Sequence, residues 1–186
     1  MRSDVKEICN VYVIARDGGK VVQESVGHNV WTNTGREYSC MMKTIGTDGQ
    51  PMRNDRIAYI GLGTGSQVEA VSVTKLVTPV AFSSNGDWLK EIDHRKTQFV
   101  QGDLKTSVRY SALFKSEDIN TGNDQLVNIR ECGLFTNGSA NAPFTVGARN
   151  VKIIGASVQS PVAYHAFDPI PKTPSLEIEV IWELRH

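Results

Sequence analysis

Between Leu176 and Leu184 the hydrophobic residues take every second place. Leu176, Ile178, Val180, Trp182 and Leu184 alternate with a set that includes Glu177, Glu179 and Glu183. Successive strand side chains point to opposite faces, so this run has one apolar face and one mostly acidic face. Helical spacing would scatter the same groups around a cylinder. Burying the apolar set contributes roughly 7–15 kcal/mol gross, an upper bound because unfolded chains are already partly collapsed. That is comparable to the net stability of a whole domain, about 5–15 kcal/mol. Such a strand needs a second sheet over its apolar face, and the rest of the chain is read as supplying it.

Taken in order, Val11, Val13 and Ala15 alternate with Tyr12 and Ile14, a strand with apolar groups on both faces. Asp17-Gly18-Gly19 supplies a tight turn, and Lys20 to Val26 resumes as the second arm of a hairpin. Tyr38, Met41, Met42 and Ile45 follow the spacing of one helical face, capped by Asn33 or Thr34 and closed by Gly46. Core packing is the role taken for the paired methionines. Residues 46–55 form an irregular loop carrying Met52 and Arg53. Arg56 to Leu62 is a strand that runs into Gly61-Leu62-Gly63-Thr64-Gly65. A dinucleotide site would need G-x-G-x-x-G followed by a crossover helix. Here Ser66 holds the third small position, and Val68 to Val80 is rich in Val and Thr with Pro79 inside it. The glycines are therefore read as a turn that changes sheets.

Val71 to Phe82 continues extended, and Trp88 to Val100 reads as an edge strand after the turn cluster at 83–87. Along Ser107 to Phe114, Val108, Tyr110, Ala112 and Phe114 face one way. Gln125 to Phe135 changes side between Ile129 and Cys132, which fits a bulge near Gly133. Asn137-Gly138-Ser139 is read as a turn. Short strands follow at 144–148, 151–156 and 161–167. Pro169, Pro171 and Pro174 read as a stiff linker before the final strand. With roughly eight to ten strands at such spacings, the expected fold is all-β. It is an antiparallel, jelly-roll-like β-sandwich with one short helix near 35–45, and an immunoglobulin-like sandwich is the second choice. Residues 1–186 are taken as a single domain in which the hairpin over 1–26 is an addition to the core.

The chain carries 20 basic and 20 acidic residues. That balance argues against nucleic acid, whose binders need a clustered basic surface. No apolar run approaches the ~20 residues that span a bilayer, and the first ten residues lack the apolar core of a secretory signal. Cys9, Cys40 and Cys132 form an odd, scattered set without C-x-x-C, read as free thiols rather than a disulfide framework or zinc module. His28, His94, His165 and His186 show no metal-site spacing, and G-x-S-x-G is absent. No catalytic, cofactor or metal residue is therefore assigned. Trp88 follows a polar turn and is the one candidate for an exposed aromatic platform, as a carbohydrate-binding module would use.

Several motifs occur in a fixed order. His28-Asn29-Val30 runs into Thr34-Gly35-Arg36. Tyr59-Ile60-Gly61-Leu62-Gly63-Thr64-Gly65 comes next, then Thr74-Lys75-Leu76 with Pro79-Val80. Asn128 through Phe135 reads NIRECGLF, and Phe167 through Lys172 precedes the final strand. Across about residues 28–184 this order resembles a loose set of tailed-bacteriophage virion proteins. The resemblance implies a non-enzymatic part of a particle and brings no catalytic residues. It leaves open which part; the reading taken is a capsid decoration (cement) protein that binds across major capsid protein subunits, with a tail or baseplate component as the alternative. A virion location is then expected, with assembly in the bacterial host cytoplasm, a dimer or trimer, and neither membrane nor nucleic acid as partner. Met52, Arg53 and Trp88 are the expected partner contacts, and a carbohydrate-binding sandwich for host attachment is the reading from another class.

Overall fold

The structure, a computed structural model, describes residues 10–43, 56–83, 85–102, 105–119, 126–137 and 160–185. The strands are β1 (Asn10–Asp17), β2 (Lys20–His28), β3 (Val30–Trp31), β4 (Ile57–Gly63), β5 (Leu89–Glu91), β6 (Gln98–Gly102), β7 (Lys105–Phe114), β8 (Val127–Thr136), β9 (Ala163–Lys172) and β10 (Leu176–Arg185). The helix α1 (Asn33–Lys43) lies between β3 and β4. Two five-stranded antiparallel sheets, β2-β1-β10-β7-β6 and β3-β9-β8-β4-β5, form an all-β, jelly-roll-like sandwich. Neighbours in each sheet come from distant parts of the chain, as β1 beside β10 shows.

β10 lies at the centre of its sheet, paired to β1 on one side and β7 on the other. Ile178, Val180 and Trp182 are fully buried, as the alternation requires. They meet Val11, Val13 and Ala15 of β1 and Ala112 and Phe114 of β7 in one core that also takes Ile60, Leu62, Ile129, Cys132 and Leu134 from the second sheet. The opposite face of β10 is less solvated than three glutamates in a row suggest. Arg16 and Lys96 both reach Glu179, at 3.2 and 3.5 Å. Glu183 is buried between Arg109 and Arg185, which donate at 3.0 and 2.7 Å. Burial pulls the Glu183 carboxyl up, but the two guanidinium bonds outweigh it and hold it below the usual carboxylate range.

Several local readings change. β8 does slip phase, but the irregularity falls between Ile129 and Glu131 rather than near Gly133. The slip puts Ile129, Cys132 and Leu134 in the same core and turns Glu131 to the other side. The run 88–100 divides: β5 belongs to one sheet and β6 to the other, with a turn at 94–96 between. Pro169 and Pro171 lie within β9, not in a linker. β3 pairs only with Ala163 and Tyr164, so beyond that point β9 has no strand on its far side among the described residues. An edge is where a strand tolerates residues that cannot donate.

The glycine-rich run after β4 does not change sheets, because β4 and β5 are hydrogen-bonded neighbours. The helix cap is Thr32, not Asn33 or Thr34. Its Oγ1 accepts the Gly35 N–H at 3.1 Å and donates to the Pro161 carbonyl at 2.5 Å. A Cβ on Gly35 would lie 2.0 Å from the Val162 carbonyl oxygen, so the helix can sit here only with glycine at that place. The 46–55 loop with Met52 and Arg53, Gly46, the turn at 138–139 and the strands expected at 144–148 and 151–156 lie outside the described residues.

Candidate functional site

The chain between β4 and β5 leaves the sheet and returns to it. Residues 64–80 form a strap over the outer face of β8, β9 and β4, with neither strand nor helix in it. Its ends are tied together: the Thr64 N–H donates to the Thr78 carbonyl at 3.0 Å, and the Val80 N–H to the Leu62 carbonyl at 2.9 Å. At its far point the Val71 carbonyl accepts the Asn33 N–H at 2.7 Å, where α1 begins. Val73 and Leu76 point inward and build a second, smaller core with Leu89, Phe135 and Tyr164. The second sheet is thus packed on both faces.

A cluster of polar groups fastens the strap. Glu131, fully buried on β8, accepts the Val77 and Thr78 N–H groups at 3.1 and 3.0 Å and the Tyr164 hydroxyl at 3.0 Å. These bonds come from neutral donors, so the carboxylate is held by oriented dipoles, each charge-assisted and stronger than an ordinary hydrogen bond. Burial, then the neighbouring Glu131 charge, pushes the Tyr164 hydroxyl far above its ordinary value, so it remains a donor. From the strap, Glu69 Oε1 accepts the Ala166 N–H at 2.8 Å, at the point where β9 has lost β3 as a neighbour. The same oxygen lies 2.7 Å from His165 Nδ1, which therefore carries the proton and donates it.

Glycines make room for these side chains. A Cβ on Gly63 would stand 2.4 Å from Glu131 Oε1, and one on Gly65 would stand 2.4 Å from Val77 Cβ and 3.0 Å from Glu131 Oε1. The motif that invites a phosphate-loop reading is the seat of a buried carboxylate. Gly27 of β2 does the same for His165, whose Cε1 and Nε2 would lie 2.2 and 2.6 Å from a Cβ there. His165 Nε2 is buried and has no hydrogen-bond partner among the described residues. Cys132 pairs with His165 across β8 and β9. Burial, then the Glu69 and Glu131 charges, drives its thiol well above the ordinary range and keeps it neutral.

Trp88 is half-buried, packed edge-on against Phe135 with ring centroids 5.3 Å apart and lying over Gly61. It borders the second core at the strap's end. His28 and His94 are exposed and stand apart from the cluster. No group of three or more His, Cys, Asp or Glu among the described residues is placed to hold a metal ion. No helix among them is long and apolar enough to cross a membrane.

The sequence reading did not single out Glu69, Glu131 or Tyr164 individually. One signal was available: Glu131 stands where β8 changes phase, directly before the buried run Cys132 to Phe135. The fold defines the chain as an antiparallel β-sandwich with a strapped outer face. Comparison with protein-family models, with curated proteins and with solved structures finds no match.

Proposed function

We propose that this chain is a non-enzymatic structural protein of a tailed-bacteriophage virion. In this reading it is a capsid decoration protein that binds across neighbouring major capsid protein subunits. The observation that carries it is the way the ordered motifs combine. Gly61 to Gly65, Thr74 to Leu76 with Pro79-Val80, and the Glu131 segment build one strapped face. Its ionisable groups are spent on holding backbone. Glu131 and Glu69 both accept main-chain N–H bonds, and Tyr164 and His165 serve those carboxylates. Such use supports a scaffold rather than a reaction centre.

The closed strap presents Ser66, Val68, Val71, Ser72, Thr74, Lys75, Val77 and Thr78 to solvent, a nearly uncharged ridge. Charge depletion is the mark of a protein–protein interface core. Zero formal net charge also suits many copies placed side by side. Binding only the assembled shell would favour assembly by mass action. Trp88, engaged with Phe135, fits a packing role better than a sugar platform.

The test is to add the purified chain to particles that lack it. The expected result is saturable binding, in copies proportional to the shell subunits, with a higher disassembly temperature. Absence of binding together with a monomeric chain in sedimentation would refute the proposal. A low, fixed copy number would move the protein to the tail or baseplate.

A further inference from the structure

We propose that residues 64–80 open and close as a unit over an intact sandwich, and that Glu131 is the latch. The main core, around Trp182, Phe114, Ile60 and Leu134, lies between the sheets and takes nothing from the strap before Val80. The strap's apolar contribution, Val73 and Leu76, sits in the separate core on the outer face. Lifting the strap therefore uncovers Tyr164, Phe135 and Leu89 without opening the sandwich. Local units with their own opening equilibrium are expected where few contacts tie a segment to the main core.

The latch follows from the chemistry of two oxygens. Glu131 Oε1 accepts from Thr78, and Oε2 accepts from Val77 and Tyr164. Glu131→Gln keeps the shape but replaces one oxygen with an NH2 group, setting donor against donor in a buried place. Glu69 is the second fastening, at the strap's middle, and leaves Val77 and Thr78 untouched. In the closed state the molecule shows a ridge of Ser, Thr and Val. In the open state it shows an aromatic face.

Amide hydrogen exchange with site resolution tests this on the full chain. In the wild-type protein, the Val77 and Thr78 amides should exchange through a smaller opening than those of Val180 and Trp182. Glu131→Gln should speed exchange across 64–80 by about 10- to 100-fold and leave β7 and β10 unchanged. Tyr164→Phe, which removes one donor and no strap bond to Glu131, should speed it less than about tenfold. Exchange of strap and β10 amides at one common rate in the wild type would overturn the proposal, even if Glu131→Gln failed to fold. Unchanged strap exchange in a folded Glu131→Gln protein would overturn it as well.

Discussion

Gly27→Ala isolates the fit between the two sheets at one atom. Gly27 lies in extended backbone on β2, where alanine meets no conformational penalty. Elsewhere in such a strand the change would stabilise by about 0.4–1 kcal/mol, because alanine has less freedom to lose on folding. Here the new Cβ would fall 2.2 Å from His165 Cε1, well inside contact distance. The ring cannot simply slide, because Nδ1 is tied to Glu69 at 2.7 Å and its other side stacks on Phe167 with centroids 5.7 Å apart. Overpacking costs about 1–3 kcal/mol, and loss of a charge-assisted hydrogen bond about 1.5–3. The expected cost is about 2–4 kcal/mol when the two are partly traded against each other. Urea unfolding should show it as a midpoint lowered by about 1–2 M at unchanged slope. The deciding control is the same substitution in a His165→Ala background. With the ring gone, Gly27→Ala should turn neutral or stabilising. A cost below about 0.5 kcal/mol in the wild type, or an equal cost in both backgrounds, would refute the reasoning.

Trp182→Ala removes the largest side chain of the main core and should cost about 3–5 kcal/mol in urea unfolding; a loss under about 1 kcal/mol would mean the ring is not enclosed. Cys132, Tyr164, Tyr110 and Tyr59 all hold their protons more tightly when folded than their ordinary values of 9.0 for the thiol and 10.0 for the phenols. Their stabilisation is complete below those values, so unfolding free energy should fall as pH rises above about 9, and Cys132→Ala should delay the onset. Lys172, whose burial lowers its value against the pull of Asp118, Glu117 and Glu177, opposes this trend, so Lys172→Met should steepen it. Glu183 has the reverse sign from the tyrosines. Its contribution is complete above the ordinary 4.5 and is lost as pH falls through its lowered folded value, so Arg185→Ala should move the acid unfolding midpoint upward.

Much of the sandwich is legible in the sequence because it rests on neighbours along the chain. Period-two patterns at Leu176–Leu184 and Val108–Phe114 reach their places because Ile178, Val180, Trp182 and Leu184 enter one core with Tyr110, Ala112 and Phe114. The phase slip in β8 is visible too, though its position is not, since Gly133 looks like the natural site for a bulge, whereas the register shifts between Ile129 and Glu131 and the extra residues, 167–169, lie in β9. What fastens the strap leaves almost no mark. Glu131 reaches backbone N–H groups more than fifty positions away, and a backbone partner has no side chain to reveal it. Gly27 and His165 meet across the two sheets, and neither is unusual where it stands. Pro169 and Pro171 resemble a linker because nothing local shows that β3 stops after two residues. Of the expected contact residues, Trp88 borders the strapped face, while Met52 and Arg53 fall outside the described residues.

The proposed role in a particle is tested most directly by a reconstruction of a virion from the phage proposed to encode this chain. Density for a two-sheet β-sandwich should appear on the shell, in register with the capsid lattice and touching more than one subunit. A virion whose shell bears no such density, with the chain missing from the proteins of the purified particle, would contradict the assignment.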